Sequence, residues 1–241
     1  MSNALQIIHS IRYLFFALLC VAQLTGLGCS PDPEQRTAYK QFLEDLLPLR
    51  PDQALPALTQ EQIAAFGNYA ESYQALRDFS LQIQESVQSC SRKMAAVSEH
   101  VTQPQDLVAH AEELAAARAL IAAQPALWEG YLAQLEAARP GFHMHADVSP
   151  VYDPLYVKYT KPVHLVIPLL HAMRDFLDSS LELARYLRGN ADKLVFQGDE
   201  IVFSDEIIQQ GANALLLDLN AKAEELSRRE DKLNNYLTSG S

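Results

Sequence analysis

Six apolar residues, Ile83, Val87, Cys90, Met94, Val97 and Val101, recur at spacings of 4-3-4-3-4. That rhythm puts all of them on one side of an α-helix and fits no strand, so the segment must pack against other helices. The helical period returns in Leu107, Ala111, Leu114, Ile121, Trp128, Leu132 and Leu135, and again in Ile208, Ala212, Leu215, Leu219, Leu226, Leu233 and Leu237. Only nine glycines interrupt 241 residues rich in Ala, Leu, Gln and Glu, all good helix formers. The fold class read from this pattern is all-α, an elongated bundle of long, partly kinked helices.

Punctuation divides the pattern. Asp32-Pro33 offers an acceptor side chain ahead of a proline, a helix start, and that helix runs to about Leu47. Pro48, Pro51 and Pro56 force a connector. Thr59-Gln60-Glu61-Gln62 is a capping box expected to open one long helix. Thr102-Gln103-Pro104 ends it, Pro125 kinks or divides the next, and Pro140-Gly141 stops that one. Residues 142–149 lack periodicity and are expected to form a surface loop. Asp153-Pro154 starts a short helix carrying Tyr156 and Tyr159, and Pro162 opens a longer one to Leu187, bent at Pro168 and closed by Gly189-Asn190.

One stretch breaks the helical texture. Residues 193–203 alternate around Gly198-Asp199, which predicts a hairpin with a two-residue turn. A lone hairpin is marginal in water, so it must lie on the flanking helices. Ser204 is expected to cap the last helix, whose exposed face carries Glu224–Arg228 and Glu225–Arg229 pairs at i,i+4.

The N-terminus carries a different signal. Arg12 precedes a mostly apolar run from Tyr13 to Val21, then small residues and Cys29. The run reads as a secretory signal, and it is short for a permanent bilayer span. Gly26-Leu27-Gly28-Cys29 looks like a bacterial lipobox, in which the cysteine thiol is lipidated and the chain is cut before it. The competing reading is an uncleaved anchor from Ile7 to Leu27, which His9, Ser10, Arg12 and Gln23 interrupt. The expected organisation is a signal over residues 1–28, a lipidated tether over 29–33 and a single helical domain over 34–238. At about 3.3–3.6 Å per extended residue the tether reaches roughly 15 Å, which would hold the bundle against the membrane. Ser30 after the cysteine points by resemblance to the outer rather than the inner membrane.

Without residues 1–28, which contribute Arg12 and no acidic side chain, 18 basic residues face 30 acidic ones. That balance disfavours nucleic acid and adhesion to anionic lipid by charge. Cys90 is then the one cysteine left besides Cys29, so no internal disulfide is possible. Its place in the helical seam makes it a small buried hydrophobe.

Few residues invite chemistry. His143-Met144-His145 with Asp147 offers metal-ligand types, but in a loop without a fixed framework they read as ordinary loop residues. His164 and His171 lie about 10.5 Å apart along one helix, too far to share an ion, and His171 with Asp175 is an ordinary helix-surface pair. Tyr152, Tyr156 and Tyr159, with Tyr69 and Tyr73, are core aromatics by spacing; the first three are also the candidates for partner or ligand contact. No hydrolase, metalloprotease, redox-dithiol or phosphate-loop motif is present, and no catalytic residue, metal or cofactor is assigned.

The chain resembles the YiaF-type family of bacterial lipoproteins, which carry a domain of unknown function. The resemblance rests on the lipoprotein signal, on residues 34–43 (EQRTAYKQFL), and on Leu55-Pro56-Ala57-Leu58-Thr59 with the helix up to Tyr73. It continues in Pro104-Gln105-Asp106, Pro162, Ile167-Pro168-Leu169, and Val195-Phe196 with Ile201-Val202-Phe203. It implies a class and a place in the cell envelope, reinforces lipidation at Cys29 and supplies no catalytic residue. The leading expectation is a non-enzymatic, lipid-anchored bundle on the periplasmic side that binds or scaffolds another envelope protein. A small-ligand or lipid-binding module comes second, and an enzyme of unknown reaction third.

Overall fold

The computed structural model of the chain describes residues 33–142, 144–198 and 200–239. Cys29 and the whole N-terminal signal, Asp32, His143 and Asp199 lie outside the described residues. Seven α-helices and one two-stranded antiparallel sheet account for most of the described chain, packed as an elongated bundle.

Helix α1 (Pro33–Leu46) buries Tyr39, Leu43 and Leu46. The connector with its prolines leads to the capping box at Thr59, whose hydroxyl accepts from Gln62 N while Gln62 Oε1 accepts from Thr59 N. The helix it opens is α2 (Gln60–Phe66), seven residues long instead of the expected long run. Gly67 ends it with φ +55°, a left-handed conformation that other residues adopt at a cost, and the Gln35 carboxamide fills the space a Cβ would need. Helix α3 (Tyr69–His100) follows as a separate element.

After α4 (Pro104–Ala109), α5 (Ala111–Ala138) runs unbroken through Pro125 and buries Leu114, Ile121, Trp128, Leu132 and Leu135. A 3₁₀ turn (Arg139–Phe142) and a short loop lead on, and Val148 at the loop's end is core, not surface. Helix α6 (Ser149–Gly189) is one helix of 41 residues, with Pro154, Pro162 and Pro168 inside it. The two helices expected there are joined because buried Val151, Tyr152, Leu155, Tyr159, Val163, Leu169 and Leu170 lie on both sides of the prolines. Tertiary burial along both flanks outweighs the backbone hydrogen bond that each proline removes. Gly189 stays helical, and Asn190 closes the helix, its backbone N–H on Leu187 O and its Nδ2 on Tyr186 O at 2.9 Å.

The hairpin forms as the alternation predicts: β1 (Leu194–Gln197) pairs with β2 (Glu200–Phe203), with Val195 opposite Val202 and Phe196 opposite Ile201. Leu194, Phe196, Ile201 and Phe203 face inward on Leu183 and Leu187 of α6, while Val195 and Val202 point to solvent. Helix α7 (Glu206–Ser239) is capped by Asp205, one residue later than expected. The Asp205 carboxylate accepts from Ile207 N and Ile208 N, whereas Ser204 Oγ donates to Lys193 O at the hairpin's base. Arg228 pairs with Glu225 instead of Glu224, so Glu225 holds both Arg228 and Arg229.

Helix α6 is the axis of the bundle, touching α1, α3, α4, α5 and α7. Gly211 lets α7 approach α6 closely: the Tyr186 hydroxyl, donating to Ile208 O at 3.0 Å, stands where a Cβ would be.

The end of the core between α1, α3 and α6 is aromatic and hydrogen-bonded. Tyr39 donates to Ser72 Oγ (2.8 Å), Ser72 Oγ donates to Tyr69 O (2.7 Å), and Tyr152 OH donates to Ser72 O (3.2 Å). Burial raises Tyr39, Tyr73 and Tyr152 well above the ordinary phenol value of 10, and Tyr159 is pushed up to about 12. In the unfolded chain these phenols ionise near 10. Because the folded values are the higher ones, their contribution is intact below about pH 10 and is lost as pH rises further. The urea midpoint is therefore expected to hold from about pH 8 to 9.5 and to fall steeply by about pH 11, with a shallower fall in Y159F.

Candidate functional site

The 4-3-4-3-4 seam of α3 does not close on a facing helix along its whole length. Cys90 and Val97 are buried, Ile83, Met94 and Val101 are half-buried, and Val87 stays 42 % exposed. Opposite the seam, α6 presents Tyr159, Val163, Val166, Leu169, Leu170 and Met173, and the end of α7 adds Leu233 and Leu237. Trp128 of α5 and the connector residues Pro51 to Ala54 complete the walls. The result is an apolar cleft of about 500 Å³ between α3, α6 and α7. Its size and lining are those of a small-molecule pocket, with polar groups confined to a few positions.

Ser80, Gln84, Gln88 and Ser91 of α3 supply polar positions along the cleft, whereas Asp52, Gln53, Trp128 and Tyr159 are held in hydrogen bonds to other residues. Tyr159 OH donates to Gln53 O at 3.0 Å and fixes the connector against α6. Trp128 Nε1 donates to Ser86 Oγ (2.6 Å), Ser86 Oγ donates to Gln124 Oε1, and Gln124 Nε2 donates to Leu120 O (3.0 Å). Burial pushes the Cys90 thiol up, which keeps it in the neutral, unreactive form. Among the described residues, no acid–base pair or activated nucleophile faces this space.

A second, more polar groove adjoins the cleft and shares Pro51 and Leu237 with it. Arg50, Lys158 and Lys161 line this groove. Lys158 Nζ donates to Leu47 O and to Leu49 O (3.0 Å), closing the end of α1, and Lys161 lies over the Tyr236 ring at 4.7 Å. Arg50 is paired with Asp52, and Asp153, which also lines the groove, is paired with Arg139, so the positive charge of the groove comes from Lys158 and Lys161 in a chain of net charge −11.

Of the three tyrosines singled out from the sequence, Tyr159 alone lines the cleft. Tyr152 and Tyr156 lie in the aromatic core, where Arg139 covers the Tyr156 ring at 4.6 Å. His145 pairs with Asp147 at 2.5 Å, and Asp147 reaches Arg36 of α1 at 3.3 Å, tying the loop down. His164 and His171 are exposed, and Asp175 accepts from Arg174 instead of facing His171. Sequence reasoning found one wall of the cleft, the α3 seam, but took it for a closed interface. It did not find the meeting of His100, His110 and Glu113, none of which lines the cleft. The i,i+3 spacing of His110 and Glu113 was the available signal.

No helix among the described residues is long and apolar enough to cross a membrane. Fold and site together define a helical-bundle protein with an apolar cleft. The chain belongs to the family described as a protein of unknown function (DUF3053), whose model matches residues 15–234. Its relatives include the uncharacterized protein YiaF of Escherichia coli K12 and its counterpart in Shigella flexneri. Each is 25% identical over 207 residues, covering 86% of this chain and 87% of the relative. No solved structure matches the chain.

Proposed function

We propose that this chain is a non-enzymatic envelope protein, lipidated at Cys29 and held on the periplasmic side of the outer membrane, that shelters the acyl chain of an amphipathic lipid. The observation that carries the reading is the apolar cleft of about 500 Å³ beside the groove to which Lys158 and Lys161 bring positive charge. Hydrocarbon fits the first and an anionic headgroup fits the second; each buried methylene is worth about 0.8 kcal/mol. The tether supports it too, because a bundle held within roughly 15 Å of a bilayer meets lipid at high effective concentration. Scaffolding of another envelope protein is the second reading, favoured by exposed Val195, Val202, Ile207 and Leu217 around the hairpin and the start of α7.

The test uses full-length protein in vesicles containing a phospholipid with a photoactivatable acyl chain. Adducts are expected at Cys90, Met94 and Met173, with the mature N-terminus starting at an acylated Cys29. Labelling spread evenly over exposed faces would remove the lipid reading, and an unmodified N-terminus would remove the anchor.

A further inference from the structure

His100 is the last residue of α3, His110 precedes the first residue of α5, and Glu113 lies in the first turn of α5. The chain between them is locked. The Asp106 carboxylate accepts from Thr102 N (3.0 Å), Gln103 N (2.8 Å) and Thr102 Oγ1 (3.1 Å), and His110 N donates to Asp106 O at 2.8 Å. The turn therefore delivers its side chains to one place. The two imidazole rings stack with centroids 5.1 Å apart. Each directs Nδ1 at a different oxygen of the same carboxylate, His100 at 2.8 Å and His110 at 3.1 Å.

We propose that His100, His110 and Glu113 form a binding site for one divalent transition-metal ion of the zinc class. Their ligand atoms all lie within 4.8 Å of one another. Metal–nitrogen and metal–oxygen distances of about 2.0–2.2 Å place tetrahedral ligands roughly 3.3 Å apart, so small side-chain rotations close the set. Two imidazoles with one carboxylate are the donors of an open zinc site, whose fourth position takes water. Imidazole selects against magnesium and calcium, which prefer oxygen alone. The carbonyl end of α3 favours a cation here and offsets the positive N-terminal end of α5, and the acidic balance of the chain adds to the attraction. His100 is half exposed, which leaves an entry path and the open position. The bland alternative is a carboxylate clamp holding two histidines by hydrogen bonds alone, and the two readings differ in what zinc does.

Full-length untagged protein in detergent micelles, stripped of metal with a chelator, is titrated with zinc by calorimetry and with cobalt(II) by visible absorption. One zinc per chain is expected at about 10 µM or tighter. H100Q and H110Q are each expected to weaken it at least as much as losing an outer-shell partner does, about 10–100-fold. H145Q, in the separate pair of His145 with Asp147, is expected to leave it unchanged. On the wild-type chain, zinc should shift the imidazole resonances of His100 and His110 and leave those of His164 and His171 in place, a readout independent of how any variant folds. Absence of saturable zinc binding, or shifts confined to other histidines, overturns the site.

Discussion

Replacing Trp128 with alanine is expected to lower the free energy of unfolding by about 3–5 kcal/mol, the range for deleting a buried indole. Trp128 is 1 % exposed and sits where α5 meets α3, with the cleft along one edge of the ring. Two losses combine. The ring's neighbours lose their contacts outright, because the space left behind joins the cleft instead of collapsing. Ser86 also loses the indole N–H, although its own hydroxyl keeps Gln124 Oε1. W128F separates the two effects. Phenylalanine retains most of the apolar volume and removes the donor, so its cost is expected nearer 1–2 kcal/mol. Urea denaturation followed by circular dichroism reads both variants. An alanine cost under about 1 kcal/mol would mean that the α3–α5 contact is not part of the stable core.

The comparison of sequence with structure divides along a physical line. Features set by neighbouring residues were legible: the Thr59–Gln62 box, the hairpin around Gly198-Asp199, and the buried stripe of α5. Features decided by distant residues were not. Pro154 and Pro162 read as helix starts and Pro168 as a bend, yet burial against α1, α3 and α5 holds all three inside one helix. The Thr59 box was expected to open one long helix, and only the conformation of Gly67 and the nearby Gln35 side chain mark the break. Asp205 displaced Ser204 as cap because Ser204 was already drawn to Lys193 O by the hairpin. The candidate site follows the same division. The α3 seam was visible as a pattern, but whether a facing helix closes it depends on where α7 ends. His100 and Glu113 stand thirteen residues apart, and the turn locked by Asp106 alone brings them to hydrogen-bonding distance.

If the cleft holds an acyl chain, then V87W is expected to abolish that binding while leaving the fold intact. Val87 is the position to enlarge because it already borders solvent at 42 % exposure, so a larger side chain can lie across the cleft without displacing packed neighbours. An indole there competes with hydrocarbon for the wall formed by Ile83, Met94 and Val166. Excluding five or six methylenes costs a ligand roughly 4–5 kcal/mol, about a thousandfold or more in affinity. Substitution on the basic side separates chain from headgroup. K161Q removes one charge from a solvent-facing groove and is expected to weaken binding by less than about tenfold, with the remaining attraction falling as salt is raised. Displacement of a fluorescent fatty acid from full-length protein measures both variants, with the urea midpoint as the check on folding. The sizes of the two effects carry the argument: a large loss in V87W with a small, salt-dependent loss in K161Q marks a site driven by burial of hydrocarbon. The reverse order would make the groove the site and the cleft incidental.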